Sequence, residues 1–168
     1  MTGIVRRIDE LGRIVIPKEI RNVLNIYPGD NLEILIESTN ILLKKYSYID
    51  NNYNYLKLCV EELQKSIDKK VILSTRDKTL YNNEINIDDF KTNLKLVYEE
   101  RKEIISTEKK LIKKDDNSIT EVYYAIFPIN LMGDVKGCII IYDESILSEN
   151  DISSARLTVN IINKYLSN

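Results

Sequence analysis

"TGIVRRIDELGRIVIPKEIRNVL", residues 2–24, sets Arg6, Arg7, Arg13, Lys18 and Arg21 among apolar positions, with Asp9, Glu10 and Glu19 read as local ion-pair partners that orient the arginines rather than as catalytic carboxylates. Gly3 to Asp9 reads as a strand, "ELG" as a turn, and "RIVIP" as a second strand that stops at Pro17, which has no N–H to give a sheet interior. The pattern predicts a hairpin. Pro17 then suits the first turn of a short helix, "PKEIRNVLN", in which Ile20, Val23 and Leu24 share one side while Lys18 and Arg21 lie elsewhere. After the "YPGD" turn, "NLEILIE" alternates Leu32, Ile34 and Ile36 with Glu33, Leu35 and Glu37; "STN" reverses the chain and "ILLKKY" returns. Two hairpins around one helical turn, in roughly 46 residues, bury too little apolar surface to be stable alone. Ile4, Ile8, Ile14 and Ile16 call for a second copy of the chain to cover them.

The remaining sequence is longer and differently patterned. "SYIDNNYN", residues 47–54, is a polar junction running into a helix with Leu56, Cys59, Val60, Leu63 and Ile67 at helical spacing. "VILSTR" and "KTLYNN" read as short strands, and "IDDFKTNLKLVYEERKEI" as a helix with Phe90, Leu94 and Val97 on one side. "EKKLIKKDD", residues 108–116, has four lysines among acids and reads as an exposed strand or hairpin rather than a basic patch. "ITEVYYAIFPIN" and "VKGCIIIYDE" are strands joined by "LMGD". Ser148 and Asp151 predict a capping box for a last helix, whose Ile152, Ala155, Val159, Ile162 and Leu166 step by three and four. That seam packs on its own sheet or bundles between chains. The whole is an α+β chain, divided at about residue 50.

Composition restricts the chemistry. The 168 residues are 43% hydrophobic and 30% charged, with a net charge of −2, so any attraction to a polyanion must be local. There is no histidine, which removes imidazole acid–base catalysis and the commonest zinc sites. The five glycines are scattered rather than gathered into a phosphate loop, and Asp115, Asp116 and Glu121 have no partner base or nucleophile. The chain reads as no enzyme and as needing no cofactor. Cys59 and Cys138 sit in apolar contexts that suggest buried thiols, and Lys44 and Lys45 read as solvated edge charges. No run is long and apolar enough for a membrane span, and no secretory signal opens the chain, so a cytoplasmic protein is expected.

"GIVRRIDELGRIVIPKEIRNVLNIYPGDNLEI…ILLKKY" resembles the AbrB-type DNA-binding domain of bacterial transition-state regulators, over about residues 2–48. The resemblance implies a swapped-hairpin β-barrel made by two interleaved chains, binding double-stranded DNA. It places the DNA-contacting arginines on Arg6, Arg13 and Arg21, with Arg7 and Lys18 in a second rank. Relatives commonly carry two adjacent basic residues where this chain has Arg21 and Asn22, so Asn22 would offer an amide instead of a charge. Residues 50–168, through "DVKGCIIIYDE…ISSARLTVNII", resemble the GAF-type sensory domain that sporulation regulators carry after this N-terminal domain. This implies a GAF-like α/β sandwich with flanking helices, for oligomerisation or for sensing an unidentified small molecule. The expected assembly is a homodimer that pairs into a homotetramer. The same N-terminal fold also serves antitoxins, which bind a toxin protein through a flexible acidic tail, whereas residues 121–168 read as ordered.

Overall fold

The computed structural model describes residues 3–82, 84–114 and 116–167. The fold is α+β and divides between Tyr46 and Ser47 into two compact units.

The first unit holds helix α1 (Lys18–Val23) and one antiparallel hairpin, β1 (Leu32–Glu37) with β2 (Asn40–Lys45), in register from Leu32↔Lys45 to Glu37↔Asn40. Ser38 turns it in the left-handed region, at φ 57°. The first expected hairpin is not paired as a ladder: residues 3–9 and 13–17 carry no strand, and a turn alone joins them. Its backbone bonds run from the Asp9 N–H to the Arg13 carbonyl (3.0 Å) and from the Gly12 N–H to the Asp9 carbonyl (3.0 Å). Among the described residues neither segment belongs to a paired strand. Pro17 alone is buried among the unit's described residues. Val5, Ile8, Ile34, Ile36 and Val23 are all more than 60% exposed, so the apolar side of β1 and of α1 faces outward.

The second unit is built on an antiparallel sheet in the order β4-β3-β8-β7-β5, with a further strand, β6, on the same edge of β7 as β5. In chain order, α2 (Tyr48–Asn51) and α3 (Tyr53–Ile67) precede β3 (Lys70–Ser74) and β4 (Thr79–Tyr81). A 3-10 turn (Ile87–Phe90) leads into α4 (Lys91–Glu100), then β5 (Ile104–Ile105), β6 (Lys110–Lys113), β7 (Ile119–Leu131), β8 (Asp134–Asp143) and α5 (Glu149–Leu166). Lysine-rich β6 forms a strand, as its composition suggested, with Leu111 and Lys113 exposed but Ile112 buried. Strands β7 and β8 meet through a two-residue turn in which Met132 and Gly133 both have positive φ, as a tight right-twisted hairpin requires. Pro128 sits inside β7 without breaking it, because β5 covers the opposite edge only as far as Ile126.

Alternation along these strands makes two cores. Val71, Leu73, Phe127, Ile139 and Ile141 meet α3 and α5 on one face; Ile72, Ile126, Cys138 and Ile140 meet Phe90 and α4 on the other. The terminal helix uses its three-four seam on its own sheet and leaves Leu157 and Ile161 exposed. Its capping box forms: the Ser148 hydroxyl accepts from the Asp151 N–H (3.2 Å), and Asp151 Oδ2 accepts from the Ser148 N–H (2.8 Å). Cys138 is fully buried, and burial pushes its thiol far above the ordinary range; Cys59 is only half-buried. No helix among the described residues is long and apolar enough to cross a membrane.

Candidate nucleic-acid interface

The turn of residues 9–13 is organised by one carboxylate. Asp9 Oδ1 accepts from the backbone N–H of Leu11 (3.0 Å) and of Arg13 (2.8 Å), which mimics a further turn of main chain. Asp9 Oδ2 accepts from Nε of Arg13 (2.8 Å), so the side chain that forms the turn also grips the arginine that leaves it. Gly12, at φ +75°, supplies the left-handed position the turn requires. The Arg13 N–H, then its guanidinium, hold the Asp9 carboxyl below the ordinary aspartate range. Arg7 and Arg13, with residues 8–11, line an open cleft of about 580 Å³.

A second cleft, of about 310 Å³, lies beside α1 and is lined by Lys18, Arg21, Asn22, Asn25, Tyr27 and neighbouring residues. Arg21 is half-buried, and its Nε is covered without a hydrogen-bond acceptor. Lys18 and Asn22 on the same helix are exposed. Lys45 stands behind this cleft and is no free edge charge: its ammonium donates to the Asn25 carbonyl (2.7 Å), pairs with Asp30 (3.1 Å) and lies 5.3 Å from the centre of the Tyr27 ring. Asp30 in turn accepts from the Tyr27 N–H (2.8 Å). This network pins the loop after α1 to the end of β2.

Five of the six expected site residues thus fall into two groups, Arg7 with Arg13 and Lys18 with Arg21 and Asn22; exposed Arg6 lines neither cleft. Asp9 pairs with Arg13, as its reading as an ion-pair partner of the arginines has it, whereas the bracing role of Lys45 escaped the sequence reading. The turn itself has a local signal, an aspartate three residues before glycine and four before arginine. Lys45 acts across twenty residues, which no local pattern reveals. The cleft beside α1, with Lys18 and Arg21 and no carboxylate in its lining, suits a negatively charged ligand, whereas the first cleft balances Arg7 and Arg13 against Asp9 and Glu10. Among the described residues, no three metal-ligating side chains come together.

Residues 5–50 match the family model described as "Antidote-toxin recognition MazE, bacterial antitoxin". "Transition state regulatory protein AbrB" of Bacillus subtilis is 58% identical over 45 residues, 27% of this chain and 47% of that protein. "Putative transition state regulator Abh" of the same organism is 50% identical over 44 residues, 26% of this chain and 48% of that protein. Both short matches are no longer than the first unit. "Stage V sporulation protein T", also of Bacillus subtilis, is 33% identical over 155 residues, covering 85% of this chain and 84% of its own length. A similarity that runs through both units at that level is decisive: the chain belongs to the family of stage V sporulation protein T.

Proposed function

We propose that this chain is a transcriptional regulator of sporulation genes that binds double-stranded DNA as a homo-oligomer, and is not an enzyme. Residues 2–48 are the DNA-binding domain and residues 50–168 a GAF-like domain that joins dimers into a tetramer or receives a small-molecule signal. The observation that carries this reading is the state of the first unit, where a cationic cleft beside α1 and exposed arginines at the turn of residues 9–13 accompany apolar side chains that the single chain leaves bare. Ile4, Ile8 and Ile14 are each at least half exposed, and so are Ile34, Ile36 and Ile41 on the hairpin. Covering that area with a second, interleaved copy is the cheapest way to stabilise so small a unit, and a swapped-hairpin barrel does so.

Pairing doubles every charge. Two copies each of Arg6, Arg13 and Arg21, with Arg7, Lys18 and Asn22 beside them, would neutralise several phosphates despite the net charge of −2. The printed names of the relatives, a sporulation protein and two transition-state regulators, support the regulatory reading. The antitoxin reading draws on the description of the family model. It fits less well, since an antitoxin's toxin-binding tail is flexible and acidic whereas here β7, β8 and capped α5 complete a buried core.

The test is binding of labelled duplex DNA at two salt concentrations, with mass measured in parallel. We expect affinity to fall steeply with salt, and Arg13→Ala and Arg21→Ala each to weaken binding by about tenfold at fixed salt, a bidentate contact being worth ~1–3 kcal/mol. Unchanged affinity in both variants would overturn the reading.

A further inference from the structure

We propose that Asp9 is a positioning residue for DNA recognition: by occupying Nε of Arg13 it commits that guanidinium to meet the double helix end-on, through its two Nη groups. The inference rests on the DNA-binding reading above and adds to it how one arginine is presented. A guanidinium has two hydrogen-bonding edges able to grip a phosphate or a guanine, the side edge formed by Nε with one Nη and the end formed by both Nη groups. Asp9 Oδ2, at 2.8 Å from Nε, takes the side edge. The Arg13 side chain nevertheless stays 72% exposed, which leaves the end free to reach outward.

The carboxylate is itself fixed. Its other oxygen is held by the N–H groups of Leu11 and Arg13, so the pair is braced to the main chain on both sides, unlike an ordinary surface ion pair between two mobile side chains. An arginine held in this way loses less freedom when it binds, which raises affinity without a new contact. A carboxylate close to a DNA surface also repels phosphate. The two effects have opposite signs, and they separate on substitution.

Asp9→Asn keeps Oδ1 for the two backbone N–H groups and so turns the amide NH2, a donor that cannot accept, toward Nε of Arg13. The experiment is a double-mutant cycle of Asp9→Asn with Arg13→Ala, read by titration of a labelled duplex selected from sheared genomic DNA, together with the NMR signal of the Arg13 Nε–H in the DNA-free full chain. The expected result is about a two- to tenfold loss on Asp9→Asn when Arg13 is present and no further loss when it is absent, the scale of ordering one long side chain. The Nε–H signal should be protected in the native chain and averaged by exchange in Asp9→Asn. Tighter binding by Asp9→Asn, an equal loss in both backgrounds, or an unchanged Nε–H signal would overturn the proposal. A native chain that bound no duplex in a salt-dependent way would instead sink the DNA reading, and this proposal with it. Salt-dependent binding with an additive cycle would sink the positioning role alone.

Discussion

Gly137 in β8 lies where no side chain fits: a Cβ there would stand 2.9 Å from the Ser74 carbonyl and 3.0 Å from two carbons of Ile49. Ile49 is completely buried and Ser74 belongs to the paired strand β3, so neither gives way cheaply. Gly137→Ala should therefore destabilise the second unit by about 1–3 kcal/mol, seen as a lower denaturant midpoint at unchanged slope. Asp143 makes a second prediction. Burial pushes its carboxyl up, but the hydroxyl and N–H of Ser145 and the ammonium of Lys69 pull it further down, below the ordinary 3.8. A carboxyl depressed in the folded state contributes stability that is complete above its unfolded value and is lost as pH falls through the folded one. The midpoint should accordingly drop below about pH 4, and Asp143→Asn should flatten that part of the profile.

At the scale of elements, α5 is fastened at two points the chain makes explicit. Ser148→Ala removes the acceptor for the Asp151 N–H and should cost about 1 kcal/mol, measured by chemical denaturation. Farther along, where the β7–β8 register slips between Ile129 and Asn130, Asn163 Oδ1 accepts the Asn130 N–H at 2.9 Å. Asn163→Leu should leave that half-buried donor unpaired, at a cost of about 1–3 kcal/mol, and hydrogen exchange should show faster opening of the Asn130 amide. The capping box was legible from Ser148 and Asp151, as were β7 and β8 from their apolar runs, because local chemistry sets both. The Asn130–Asn163 bond was not legible, since it spans an unforeseen slip in register. The strands expected at 3–9 and 13–17 show the opposite limit: their β-branched residues suit an extended chain, but composition alone does not make a ladder. For the candidate site, the cationic residues and Asn22 could be named from the sequence, while their sorting into two clefts depends on the turn at Asp9 and the brace at Lys45.

Taken as a whole molecule, the chain has two units of unequal self-sufficiency. The second carries two buried cores; the first has one buried residue among those described. The first unit's unfolding should thus depend on protein concentration, which calorimetry over a hundredfold dilution would reveal. Identical transitions at every concentration would count against pairing. The bare isoleucines of the first unit also carry a genetic consequence. If covering them requires a sister chain, each binding surface is the joint product of two chains, and where two alleles are expressed together a defective one is never merely silent. In a cell making native and Arg13→Ala chains equally, about a quarter of the pairs would be wholly native, so the damaged allele should behave as dominant.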